Sequence, residues 1–306
     1  MNIFLVLLIK LIPLYILILL GYVGGRYLKV QKEILSSLLI YILIPAVTFA
    51  AVINTKLSPS VLSIPILFFI ICGLASVITY FLSGFIWKNS MRNLNAFIAG
   101  TANTGYFGIP VVIAIFGNNA LSIIALALLG TSLYFNSFGF LFAATSKHSV
   151  KESLIKLAKL PILYAFFLGL LVNVLGVKLG KEYYSIENFI NGAYTILGMM
   201  LIGIAISEIK KISFDIRFIV MSLFSKFLLW PIITMIIIFI DSHFLKLYDA
   251  KVYKIIILIS ILPLAVNIAP YATELKIHPE KASFAVFLST LFALFYIPLF
   301  VLLFLK

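Results

Sequence analysis

The chain has 306 residues, of which 63% are hydrophobic and only 11% charged, with a mean hydropathy of +1.20. A soluble domain carries about 45 to 50% apolar residues, so this composition excludes a water-soluble fold and describes an integral membrane protein. A net charge of +13 invites a nucleic-acid reading, but with so few charges the excess is better read as a topology signal, and no nucleic-acid partner is expected.

A spanning helix needs about 20 mostly apolar residues. Ten such runs follow one another between short polar breaks: 3–25, 33–54, 60–87, 93–117, 119–145, 153–176, 185–207, 214–240, 251–273 and 281–305. None alternates as barrel strands do, and a helix satisfies its own backbone groups in lipid, so the expected fold is all-α and polytopic. The first run lacks a charged start, is too long for a signal peptide, and is followed by Arg26, Lys29 and Lys32 instead of a cleavage site; it reads as a retained helix. Lys10 within it lies near enough to an end to snorkel. Cys72, in the third run, is the sole cysteine and excludes an intramolecular disulfide. His148, His243 and His278 fall in separate loops, so no metal site is expected.

The fourth run contains "TANTGYFGIPVV", Thr101 to Val112, which crowds Asn103, Thr104, Gly105, Gly108 and Pro110 into the middle of a span. Proline removes a backbone donor and clashes with the preceding turn, and glycine weakens a helix by about 1 kcal/mol relative to alanine, so an unwound midpoint is predicted. After the fifth run comes a polar link, "SKHSVKESLIK", Ser146 to Lys156, and the sixth run then repeats a feature of the first. "PLYILILLGYVGGRYLKV" from Pro13 and "PILYAFFLGLLVNVLGVKL" from Pro161 place Gly21 and Gly169 each eight residues after the proline. Five helices, an odd number, separate the copies, so the second enters from the opposite side. The expected organisation is two inverted repeats, 1–147 (helices one to five) and 148–306 (helices six to ten).

The seventh run ends at Glu208, and the eighth carries Lys226 near its centre. A charge at mid-bilayer costs about 2.5 to 3.5 kcal/mol on insertion scales. Lys226 is therefore expected to face the protein interior, either pairing with a carbonyl freed at a helix break or balancing a bound anion. The ninth run, counterpart of the fourth, reads "LPLAVNIAPYATE", with Pro263, Asn267, Pro270 and then Glu274. In inverted-repeat carriers the site lies where corresponding helices are both interrupted. Free amides at the half-helix N-termini, with the side chains of Asn103 and Asn267, suit a carboxylate or another small anion. The candidate substrate-binding residues are thus Asn103, Thr104, Gly105, Tyr106, Asn267 and Lys226, with Gly108, Pro110, Pro263 and Pro270 shaping the breaks.

Loops after odd-numbered helices hold 14 Lys and Arg and the opposite side, termini included, holds 7. Positive residues favour the cytoplasm, so a multi-pass protein of the plasma membrane with both termini outside is expected.

At this level of detail the sequence becomes recognisable. "NTGYFGIP", Asn103 to Pro110, resembles the N-T-x-x-x-G-I-P signature of the auxin efflux carrier family. The likeness continues in "IPLYILILLGY" near the start, in "KFLLWP" from Lys226 to Pro231, and in Leu262-Pro263 followed by His278-Pro279. The short link around Ser146 to Lys156 is similar to that of prokaryotic members, without the long central loop of many plant members. What the resemblance implies is a ten-helix carrier in which helices one, two, six and seven form a scaffold, often dimeric. The other helices form a mobile transport domain whose fourth and ninth helices cross at their breaks, an architecture shared with the bile-acid symporters. It assigns the family's substrate-binding asparagine to Asn103; Asn267 and Pro270 are shifted relative to the plant pattern, so their role rests on the repeat.

The expected function is a secondary transporter of a small organic anion, a mono- or dicarboxylate, working by elevator-type alternating access. The rival is a membrane-embedded sensor that binds an anion at the same crossing without net transport. An enzyme is not expected, since no paired Asp motif, His-rich segment or serine with a base occurs on the apolar runs. No cofactor is expected beyond a coupling proton or sodium ion. Glu274 and Glu208 are the candidate coupling acids, Glu274 with the alternative of a solvated helix-end charge, and the sequence leaves proton coupling, sodium coupling and uniport open.

Overall fold

The computed structural model describes residues 3–139, 142, 159–177, 179–209, 214–274 and 277–304, with Glu274 described by its backbone only. The expected boundary between the halves, 146–156, lies outside the described residues. Among the described residues the fold is all-helical, and eight helices are long and apolar enough to cross a membrane. They are α1 (Phe4–Tyr27), α2 (Lys32–Ile53), α3 (Pro59–Gly84), α4 (Ser90–Phe116), α5 (Asn118–Gly139), α7 (Lys181–Ser207), α8 (Ile216–Leu245) and α10 (Pro279–Phe304). The remaining two apolar runs are α6 (Pro161–Val174), shorter than a span in its described part, and α9, which is split into α9a (Ala250–Ser260) and α9b (Ile268–Glu274).

Three prolines explain local backbone that helix propensity alone does not. Pro45, Pro110 and Pro231 each follow a π-helical turn by two residues: Leu39–Leu43, Thr104–Gly108 and Ser225–Leu229. Proline offers no N–H to the carbonyl four residues back and pushes against it, and a widened turn accommodates both effects. The residue before each proline then donates its N–H five residues back, Ile44 to Leu39, Ile109 to Thr104 (shared with Gly105) and Trp230 to Ser225. The carbonyl that Pro231 leaves without a helical donor, that of Phe227, is met by the Tyr296 hydroxyl of α10 at 2.5 Å.

Glycines set the closest helix contacts, as is usual where lipid supplies no hydrophobic drive for association. Helices α1 and α7 pack along each other; a Cβ on Gly21 would strike the Met200 carbonyl, and one on Gly203 the Ile18 carbonyl. The second half of α2 packs against α6, where Gly169 meets the Phe49 carbonyl and Val52. Asn173 of α6 donates from Nδ2 toward the carbonyls of Val52 (2.9 Å), Ile53 (3.0 Å) and Thr55 (2.7 Å), covering the C-terminal end of α2. In the same manner α5 presses Gly130 onto the Pro65 carbonyl of α3.

Helix α4 is interrupted, but not across the whole motif. Its first half, α4a, ends at Ala99, residues 100–103 are non-helical, and α4b resumes with the turn Thr104–Gly108 and the α-helix Ile109–Phe116. The sequence led one to expect unwinding through Gly105 and Pro110. The structure places the break upstream instead: the chain is helical again from Thr104, and the π-helical turn Thr104–Gly108 takes up the disturbance from Pro110 without unwinding. The break in α9 runs from Ile261 to Asn267 and contains Pro263 as expected, whereas Pro270 lies within α9b.

Candidate functional site

The two breaks are joined through their backbones: the Asn103 N–H donates to the Pro263 carbonyl at 2.8 Å. Neither group could be spared a partner, since both are buried at the depth of the apolar spans. The rest of Asn103 is engaged as well. Its carbonyl accepts from the Gly108 N–H (2.8 Å), and its Oδ1 accepts from the Phe107 N–H (3.3 Å), capping α4b. Because a backbone N–H requires an acceptor, that contact fixes which end of the amide is oxygen. The buried Nδ2 is left as a donor with no partner among the described residues.

The flanking half-helices are held by side chains from three other spans. At the end of α4a the Ala96 carbonyl accepts from Ser76 Oγ of α3 (2.7 Å), the Ile98 carbonyl from Thr101 Oγ1 (2.8 Å), and the Ala99 carbonyl from Trp230 Nε1 of α8 (2.5 Å). On the α9 side, the Leu264 N–H donates to Ser289 Oγ of α10 at 3.1 Å. The broken backbone is thus buried in protein and tied to neighbouring spans, the condition under which irregular structure persists inside a membrane.

A cavity of about 440 Å³ opens beside the breaks. Of the residues singled out in the sequence, the structure gathers Asn103, Gly105, Tyr106, Asn267 and Pro270 around it. The Tyr106 hydroxyl lies close to Ser36 and Asn267 but completes a geometrically sound hydrogen bond with neither. Tyr106 also faces Tyr194 of α7, ring centroids 6.5 Å apart, and its backbone packs on Gly198 of the same helix.

The other candidates lie elsewhere. Thr104 is buried outside the lining, with Oγ1 3.4 Å from the Ala102 carbonyl. Gly108 sits where a Cβ would meet the Leu262 side chain at 2.6 Å and the Asn103 carbonyl at 3.2 Å, so it lets the two breaks approach. Pro110 is buried at the start of the resumed α-helix. Lys226 is fully buried outside the lining, with Nζ 3.4 Å from the centroid of the Trp230 ring and no hydrogen-bond partner among the described residues. Glu208 pairs with Lys32 and lines a second cavity, of about 720 Å³, bounded by α1, α2, α7, α9b and α10. The Glu274 side chain lies outside the described residues.

Sequence reading missed several lining residues: Ser36 and Tyr41 of α2, Thr131 and Asn136 of α5, Lys159 just before α6, and Tyr271 of α9b. Asn136 was visible as an amide within an apolar run. It accepts at Oδ1 from the Tyr271 hydroxyl (3.0 Å), tying α5 to α9b across the wall, and the Phe135 and Tyr271 rings meet edge-on at 4.7 Å. Lys159 is the one basic side chain of the lining among the described residues, and it is exposed.

Residues 6–301 match the family described as membrane transport proteins. The chain belongs to that family. It is the family of the auxin efflux carriers that the Asn103–Pro110 motif resembles. Similar proteins include an uncharacterized transporter of Methanocaldococcus jannaschii, 24% identical over 304 residues and covering 93% of this chain and 94% of its own length. An uncharacterized transporter of Methanothermobacter thermautotrophicus is 25% identical over 291 residues, with the same shares covered. A family member with this many apolar helices is a multi-pass membrane transporter, and membership points away from an enzyme.

Proposed function

We propose that this transporter carries a small organic anion, a mono- or dicarboxylate, whose carboxylate binds at the paired breaks of α4 and α9. The observation that carries the reading is Asn103: its amide oxygen is committed to Phe107, and its Nδ2 is a buried donor in want of an acceptor beside a cavity. The Tyr106 hydroxyl and Asn267 offer further polar contacts, and Gly105 keeps the wall open. Lys159 is the one basic side chain of the lining among the described residues, and the Phe135–Tyr271 pair forms an apolar wall that suits an apolar body on the carboxylate.

The mechanism we propose is elevator-type alternating access in a ten-helix inverted repeat, with α4 and α9 crossing at their breaks. The equivalent glycines support the repeat. Gly21 of α1 contacts α7 while Gly169 of α6 contacts α2, as an inverted pair requires, since α1 corresponds to α6 and α2 to α7. In this reading α1, α2, α6 and α7 form a scaffold through which the protein dimerises, and the other helices move as one transport domain. Tyr15 of α1 reaches across the boundary to the transport side, donating to the Thr290 carbonyl of α10 at 2.7 Å and meeting the Phe107 ring of α4 edge-on. The basic loops place both termini outside the plasma membrane, and the cavity then opens toward the cytoplasm, where Lys159 lies.

Uptake of radiolabelled carboxylates into proteoliposomes, under imposed proton and sodium gradients, tests this. Accumulation that follows one gradient supports the carrier and identifies its coupling. Saturable binding without flux under any gradient would make the protein a sensor instead.

A further inference from the structure

Lys226 demands a reason for its residue type. A methionine or leucine would fill the same space without bringing an ionisable group into the membrane, yet a lysine stands there, fully buried, with no carboxylate or carbonyl on its Nζ among the described residues. Its titratable neighbour is Cys72 of α3, which supplies no counter-charge. What Nζ does meet is the face of the Trp230 ring, one helical turn on, at 3.4 Å.

Trp230 in turn has one donor, and it is used: Nε1 donates to the Ala99 carbonyl at 2.5 Å. That carbonyl ends α4a, at the negative pole of the half-helix and among the carbonyls that have no helical partner. The next residues, 100–103, have no helical ladder of their own, and Thr101, Ala102 and Asn103 line the cavity. A protonated Nζ on the ring face would withdraw density from the indole and strengthen its N–H as a donor, and it would set positive charge behind a helix C-terminus, where it is favourable.

We propose that Lys226 is a positioning residue for the anion site: acting through the Trp230 indole, it holds the end of α4a and so sets the stretch that presents Asn103. Lys226 itself does not touch the substrate. The transport arm of the test rests on the carboxylate reading given above; the exchange arm does not.

Hydrogen–deuterium exchange of the full-length protein in detergent, read on peptides covering residues 96–108, is the first measurement. Lys226→Met and Trp230→Phe each speed exchange there about tenfold, the scale of one lost hydrogen bond to a buried carbonyl, while α1 and α7 peptides stay at native rates and Lys226→Arg behaves as native. Benzoate, as an apolar monocarboxylate probe, then loses affinity about tenfold in Lys226→Met, and the same change made in Trp230→Phe adds little, because the two act in series. Native exchange at 96–108 in Lys226→Met overturns the proposal, as do multiplicative effects of the two substitutions on affinity. If the native protein takes no carboxylate at all, the functional reading fails while the exchange result still decides this one. A Lys226→Met protein that does not fold shifts the decision to Trp230→Phe, which must show the local exchange change alone.

Discussion

Asn103→Ala separates two contributions of one side chain. The Oδ1 contact to the Phe107 N–H is an N-cap, and losing it costs about 1 kcal/mol of stability. The free Nδ2 contributes nothing to the empty protein, but a hydrogen bond to a carboxylate contributes about 1.5 to 3 kcal/mol, which corresponds to about 10- to 150-fold in Kd. The expected variant therefore melts slightly early and binds its anion far more weakly, readable by thermal unfolding and by radioligand binding in detergent. Asn103→Asp provides the control. It keeps the acceptor for Phe107 and replaces the donor with a carboxylate oxygen, which repels the bound anion; taking up a proton restores an O–H donor. Its affinity should then rise as pH falls, more steeply than that of the native protein. An Asn103→Asp protein with native affinity at high pH would refute the assignment of Nδ2 to the substrate.

Further outcomes follow from the packing. Tyr296→Phe leaves the Phe227 carbonyl, already deprived of its helical donor by Pro231, without a partner; a loss of about 1 to 3 kcal/mol is expected, and a native melting temperature would contradict it. Gly203→Val drives a side chain into the Ile18 carbonyl of α1 and should cost about 1 to 3 kcal/mol or more, measured by unfolding in detergent. At the α8–α10 end, the hydrogen bond from Lys281 Nζ (2.7 Å) holds the Asp215 carboxyl below its ordinary range, against the smaller opposing effect of burial. A lowered folded-state value means stability present above the unfolded value of about 3.9 and lost as pH falls through the folded one. Thermal stability should decline on acidification below about pH 4, and less steeply in Asp215→Asn; identical acid limbs would contradict the pairing.

Much of the fold was legible because lipid imposes simple rules. Run lengths located eight of the ten expected spans as helices long enough to cross, and paired prolines in the fourth and ninth runs marked two interruptions that the structure contains, at residues 100–103 and 261–267. The exact position of the first break was not legible. Gly105, Gly108 and Pro110 look equally disruptive in a string of letters, but a π-helical turn accommodates the proline within the resumed helix, and the unwinding falls upstream, at 100–103. The site was half legible. Asn103, Gly105, Tyr106 and Asn267 share one cavity, yet Thr104 and Lys226 do not line it, since adjacent residues on a helix point to different faces and a charge in a membrane need not face a ligand. Ser36, Tyr41 and Lys159 come from helices distant in sequence, and only the packing of α2 and α6 beside the breaks brings them in.

A structure determined with a bound monocarboxylate tests the central claim most directly. The account predicts carboxylate density beside the breaks of α4 and α9, with an oxygen about 2.7 to 3.2 Å from Asn103 Nδ2. Density seated instead in the second cavity, against Lys32 and Glu208, with the Asn103 amide left unpaired, would contradict it.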